Sequence, residues 1–288
     1  MEKRDPIIQV MFQESSLLTG ILEFAKPLAV TIPIYFDRDQ IIIEFKVNHA
    51  RRINPTVSTH CFTISPDQLY MYSYNAPTAN VILQVECAAL LTRLKGRNKN
   101  KTVLYYYEGD NCLYVDHVSD LSDECNTQRS QSVMLKPVDY THFVFDDCQS
   151  HRFRTTVLNF DEICSKCTSK NLEHVEVVGA ADSIKFDGIQ SDTNSNYTIE
   201  LPTFRLRPLG TVDIAPEVLA LMEQLQIADG EVTKYHIHSN LISSFRKLPG
   251  ITGKHPMVTI DYGPRAALRI SVPTSTYGTY VGVVAASV

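Results

Sequence analysis

Glycine is scarce in this chain, 12 of 288 residues, and neither a G-x-G-x-x-G run nor a Walker pattern occurs. A backbone loop built to cradle nucleotide phosphates is therefore missing. No apolar run approaches membrane-spanning length. The opening residues, Met1-Glu2-Lys3-Arg4-Asp5-Pro6, have no apolar stretch behind them, so no signal peptide is expected. The seven cysteines are odd in number and scattered, which points to a reducing, intracellular setting. One C-x-x-C occurs, Cys164-Ser165-Lys166-Cys167, on an expected helix and without a second pair. Zinc would need two further ligands. His236 and His238 share a strand face, but nothing in the sequence brings them near, and buried thiols are the default reading. His49 and His60 lack the Ser, Cys or Asp partners of a nucleophilic site. The sequence thus predicts no catalytic constellation, no metal and no cofactor. No low-complexity tract interrupts it.

What the chain does contain is a repeat: a strand, a helix, then two or three strands, four times over. The first copy has a strand at 7–12, a helix at 16–26, and strands at 30–36, 41–47 and 57–64. The second has a strand at 69–74, a helix at 85–95, and strands at 102–107 and 112–118. The third has a strand at 141–147, a helix at 159–170, and strands at 173–178, 183–189 and 196–201. The fourth has a strand at 232–238, a helix at 240–248, and strands at 257–262, 266–272 and 277–284. Such a period fixes architecture before any motif does. The length accommodates two domains, and hydrophobic content of 44% with charged content of 20% marks a globular chain.

The helices are read from caps and stripes. Ser15 or Ser16 precedes the stripe Leu17, Leu18, Ile21, Leu22 and Ala25. Asn159 is the expected cap of the third helix, with Asp161 and Glu162 in its first turn. Gly96 and Pro249-Gly250 are the expected stops of the second and fourth. The polar stretch 119–131 reads as an inter-domain linker ending at Leu135-Lys136-Pro137. Domains are accordingly expected at 1–118 and 139–288, joined by 119–138. A segment at 202–230 reads as an insertion with helical spacing at 216–227. Tyr105-Tyr106-Tyr107 could form a base-stacking platform, but within a strand these rings should alternate between core and surface.

Net charge is −5, which alone argues against nucleic acid. Its distribution argues otherwise. Arg93, Lys95, Arg97, Lys99 and Lys101 fall within nine residues that hold no acid, at the end of the second helix. The third helix carries Lys166 and Lys170. The fourth carries Arg246 and Lys247, with Lys254 beyond. On one helix such cations merely complement the dipole. On three of four repeat copies they suggest a surface that holds a phosphate backbone without reading bases.

Several segments resemble the sliding-clamp family of proliferating cell nuclear antigen. LLTGILEFAKPL resembles that family's first pore helix, and YSYNAPTANVIL followed by VECAALLTRLKG its strand and second pore helix. YTHFVFDDCQSHRFRTTVLNFDEICSKC resembles the start of its second domain. HIHSNLISSFRKLPGITGKHPMVTIDY resembles its fourth helix and following strand, and TYVGVVAAS its terminal strand. The resemblance covers nearly the whole chain as a pattern. It implies an α+β fold of two tandem, topologically alike processivity domains, with helices lining a basic inner face and antiparallel sheets outside. It also implies a non-enzymatic homotrimeric ring around duplex DNA, in a nuclear or viral replication compartment. Such a ring tethers a DNA polymerase, is opened by a clamp loader, and docks partners through a short hydrophobic peptide.

Carried over by position, the pore cations are Lys26, Arg93, Lys95, Arg97, Lys99, Lys166, Lys170, Arg246 and Lys247, with Lys101 closing the basic run. The peptide pocket is Val47, His49, Leu135, Pro137, Tyr140, Pro264, Val283 and Ala285. Ring contacts are expected near 124–131 and 194–201. The chain departs from the family in the added piece 51–55, the short linker, the 202–230 insertion and a first helix poor in cations. Two relatives of the ring reading stay open: a non-ring processivity subunit of herpesvirus type, and one subunit of a heterotrimeric checkpoint clamp.

Overall fold

In the computed structural model, residues 4–12, 16–49, 56–66, 69–95, 101–118, 131–138, 151–168, 174–180, 183–189, 197–202, 204–205, 232–253, 256–263, 267–274 and 278–284 are described. The first half runs β1 (Ile8–Phe12), α1 (Ser16–Ala25), β2 (Thr31–Asp37), β3 (Ile41–His49), β4 (Thr56–Ile64), β5 (Met71–Tyr74), β6 (Asn80–Glu86), α2 (Cys87–Leu94), β7 (Lys101–Tyr106), β8 (Cys112–Val118) and β9 (Gln131–Lys136). The second runs β10 (His151–Thr156), α3 (Val157–Thr168), β11 (His174–Gly179), β12 (Ser183–Ile189), β13 (Tyr197–Pro202), β14 (Phe204–Arg205), β15 (Thr233–His238), α4 (Ser239–Phe245), α5 (Leu248–Thr252), β16 (Met257–Tyr262), β17 (Leu268–Thr274) and β18 (Gly278–Val284).

The two halves pair their strands in the same way. In the first, β1 lies between β5 and β7, then β8 and β9 follow; β2 lies between β6 and β3, and β4 follows β3. In the second, β10 lies between β14 and β16, then β17 and β18 follow; β11 lies between β15 and β12, and β13 follows β12. Every one of these pairs is antiparallel. The halves join where β18 pairs with β4, from Thr279 opposite Thr63 to Val284 opposite Ser58. The fold is therefore α+β, two alike units in tandem, as the resemblance implies.

The described strands form a 14-stranded sheet that crosses this junction and a separate four-stranded sheet, β13-β12-β11-β15, and helices pack over their inner faces. The α1 stripe Leu17, Leu18, Ile21, Leu22 and Ala25 is buried as its 3.6-residue spacing requires, and Phe24 is buried with it. Helix α1 packs on α2 and α5, and α3 packs on α4 and α5. Phe245 of α4 bridges the halves, its ring 6.1 Å from Phe24 and 5.6 Å from Phe160. Gly20 lets α1 come close to α5: a Cβ there would stand 2.9 Å from Ile251 Cγ1. Under the helices, inward strand positions such as Phe45, Phe62, Leu83, Val133, Ile260 and Tyr280 form the core.

Several expectations are corrected. The segment 119–138 is not all linker: Gln131–Lys136 is β9, which returns to the first half and pairs with β8 and β6. The polar composition of 119–130 suggests a linker, but β8 and β9 on either side of it pair with each other. The chain between β9 and β10 is residues 137–150. The strand expected at 141–147 lies outside the described residues, and the strand that leads into α3 is β10. The second unit gains β6, because Asn80–Glu86 runs into α2 with no turn residue to mark the boundary. Thr156 caps α3, its Oγ1 accepting from the Asn159 N–H at 3.2 Å, so Asn159 lies inside the helix. Asp161 and Glu162 consequently sit beyond the first turn. Pro249 and Gly250 do not stop a helix but open α5, where proline's missing N–H leaves no bond unmade. Gly96, residues 51–55 and the segment 206–231 lie outside the described residues.

Candidate nucleic-acid interface

The cations at the helix ends are held in place by short-range geometry. Lys26 follows α1, Arg93 lies in the last turn of α2, Lys95 follows α2, Lys166 lies in the last turn of α3, and Arg246 and Lys247 follow α4. All six are exposed. Each apolar stripe faces the sheet, so the helix ends turn these side chains toward solvent on the opposite side. Arg97, Lys99 and Lys170 lie outside the described residues.

Acids share this layer, which a search for cations alone does not bring out. Lys95 Nζ is 3.0 Å from Glu23 Oε1 on α1. Arg246 Nε is 3.3 Å from Asp161 Oδ1 on α3. Lys166 Nζ is 2.7 Å from Glu162 Oε1, one helical turn away. Hydrogen bonding from Lys166 holds the Glu162 carboxyl below its ordinary pKa. Two of these pairs cross from one helix to the next, one in each half. Among the described residues, Lys26, Arg93 and Lys247 have no carboxylate within ion-pair distance. The sequence signal for these acids is only their place on helices whose ends are basic.

Sequence reasoning also misses a second support. His117 on β8 is 9% exposed and reaches the end of α2. Its Nε2–H donates to the Arg93 carbonyl at 3.0 Å, and its Nδ1 accepts from the Thr102 hydroxyl at 3.3 Å. A buried imidazole thus fixes the carbonyl at which the basic run begins.

Lys101 does not belong to this layer. Strand side chains alternate, and Thr102 points inward to His117, so Lys101 points to the other face. There its Nζ lies 4.1 Å from the centre of the Tyr70 ring. The tyrosine run alternates likewise. Tyr106 packs on the core, while Tyr105 stacks on Tyr114 at 5.3 Å and meets Tyr107 edge-on at 5.6 Å.

Among the described residues, the expected members of the peptide pocket do not come together. Val47 is 6% exposed and lies on the helix side of β3, with Phe45. Val283 lies on the opposite face, since its neighbours Gly282 and Val284 are the buried, inward ones. By register the residue level with Val283 on β3 is Lys46, through Thr59. Leu135 packs against the core beside Val85 on β6. From β9 to β18 there are five strand steps, about 24 Å at the usual spacing. Leu135 and Val283 cannot line one site. Pro137 is exposed just past β9, and His49 ends β3 opposite Thr56. Tyr140, Pro264 and Ala285 lie outside the described residues. On the face away from the helices, Ile42, Glu44 and Cys61 are nonetheless buried, Glu44 to 1% exposure.

The C-x-x-C thiols are both buried in α3. Burial pushes Cys167 up to about 11 and Cys164 well above its ordinary value. These are packed thiols, not ready nucleophiles. Among the described residues, no group of three or more His, Cys, Asp or Glu could hold a metal, and no helix is long and apolar enough to cross a membrane.

Two alike halves, a shared antiparallel sheet and a single layer of helices define the processivity fold of sliding clamps. The particular likeness is to the crystal structure of proliferating cellular nuclear antigen from Entamoeba histolytica, with a TM-score of 0.69 over 98% of this chain and 99% of that one. Sequence identity is 12%, so the likeness establishes the fold. No protein-family model matches the sequence. No curated protein matches it either.

Proposed function

We propose that this protein is a sliding clamp: three copies close into a ring, helices inward, that encircles duplex DNA and tethers a polymerase and other replication proteins. The observation that carries the reading is the junction of the two halves. Strand β18 ends the second half and pairs with β4 of the first. The equivalent of β18 is β9, and the equivalent of β4 is β13. Among the described residues, β13 has β12 on one flank and no strand on the other. Strand β9 has β8 along one flank, and on the other meets β6 only at Leu135 and Lys136. Pairing of β9 in one copy with β13 in the next repeats between chains the contact that β18 and β4 make within one. A heterologous contact of this kind closes into a ring if its rotation allows, and bare strand edges otherwise invite uncontrolled pairing.

The function follows from topology, not from grip. A closed ring stays on DNA because it is linked to it. Its cations need only make weak contacts, screened by salt, to phosphates. Six exposed cations on the helix layer suit that role, and no base-reading element is required. The protein is read as a non-enzymatic platform acting where DNA is replicated. The docking site for partner peptides is better sought on the face away from the helices, around Val283 and Lys46, than at Leu135.

Arg93→Glu with Lys247→Glu tests the DNA surface. Binding to all short duplexes should weaken alike, and the slope of log affinity against log salt should flatten by roughly 0.9 for each phosphate no longer neutralised. Weakening confined to one sequence, or none at all, would contradict the reading. A chain that binds DNA tightly but stays monomeric would instead support an open processivity subunit.

A further inference from the structure

We infer that Glu23, Asp161 and Glu162 form a built-in brake on DNA affinity, holding half of the described helix-layer cations in ion pairs so that the duplex is encircled without being gripped. The inference rests on the reading that this layer faces DNA. Glu23 binds Lys95, Asp161 binds Arg246 and Glu162 binds Lys166, at 3.0, 3.3 and 2.7 Å. All six side chains keep at least 32% of their surface in water. Exposed pairs of this kind add little to folding stability, so stability does not account for them.

Their effect on a polyanion is larger. A phosphate approaching Lys95, Lys166 or Arg246 must compete with a carboxylate already in place, and it also meets that carboxylate's own charge. The salt slope counts the DNA phosphates that the protein neutralises, each freeing its condensed counterion, and a cation already held by a fixed carboxylate neutralises a phosphate less completely. Lys26, Arg93 and Lys247, outside these pairs, are left to make the first contacts. The arrangement occurs in both halves, once between α1 and the end of α2, and once between α3 and the end of α4. A ring of three would carry it six times.

The test is a triple variant, Glu23→Gln, Asp161→Asn and Glu162→Gln, in the full chain. Its affinity for a short labelled duplex is read by fluorescence anisotropy across a salt series around 0.1 M. Removing three carboxylates should raise affinity on the order of tenfold and steepen the salt slope by roughly 0.9 for each cation released. A control triple, Asp5→Asn, Asp39→Asn and Glu108→Gln, removes the same charge from exposed positions off the helix layer. It should raise affinity far less, and an equal rise would overturn the brake in favour of net charge. Unchanged affinity in the helix-layer triple, with weakened binding in the Arg93 and Lys247 double variant, overturns the brake and leaves the DNA surface standing. If neither variant moves, the helix layer does not face DNA and both readings fall.

Discussion

At the residue scale, the junction of the halves turns on one polar contact in an apolar core. His60 is fully buried among Phe24, Phe45 and Tyr280. One ring nitrogen lies 2.9 Å from the Ser58 hydroxyl and the other 2.9 Å from the Tyr280 hydroxyl on β18. Gly282 stands opposite His60, and a Cβ there would collide with the Tyr280 hydroxyl. Gly282→Ala should therefore destabilise the chain by about 1–3 kcal/mol, measured by urea unfolding. An unchanged midpoint would mean that the junction adjusts freely. Buried acids give a second prediction. Burial pushes Cys61 and Cys167 up to about 11, and Cys87 and Tyr235 up to about 12, from 9.0 for the thiols and 10.0 for the phenol. The folded chain keeps these protons to higher pH than the unfolded chain. Their contribution is complete below about pH 9, falls as pH rises from 9 toward 11 and 12, and is gone above. Urea midpoints should drop over that window, and a flat profile would contradict the burial of these groups. The histidine contact is invisible in sequence, because it joins strands 220 residues apart. The wrong place expected for Val47 has a nearer cause: one step along a strand changes the face.

At the element scale, stripes are legible in the sequence and boundaries are not. The α1 stripe needs only local spacing. The starts of α3 and α4 depend on which side chain caps, and Thr156 and His238 take that role. Strands β6 and β9 escape sequence reasoning for opposite reasons. No turn residue sets β6 apart from α2, and the polar sequence before β9 reads like the end of a domain. Correcting β9 moves the expected ring contact from 124–131 to 131–136, which opens a test. Met134 lies on β9 and is 61% exposed, a large apolar surface on a strand with a partly open edge. Met134→Glu should shift the solution mass toward that of one chain while leaving the thermal midpoint of the folded chain nearly unchanged. A variant that assembles as the parent does would place the contact elsewhere.

At the scale of the whole molecule, the repeat makes the fold readable from sequence. Its four copies are visible as strand and helix runs. Their pairing is not, because register depends on partners distant in the chain. The candidate DNA surface is legible as cations at helix ends, yet its acids are not, because the ion pairs join helices far apart in the chain or lie within a helix whose net charge hides them. The peptide pocket is not legible, since placing it requires a correct linker. What unifies these observations is the junction of β4 with β18, and the equivalent edges of β13 and β9 left for another copy. The central claim is that these edges meet between chains and close a ring. Light scattering of the purified protein at micromolar concentration tests it most directly. The account predicts a single species of three times the 32.5 kDa chain mass. A species that keeps the mass of one chain at every concentration would contradict it.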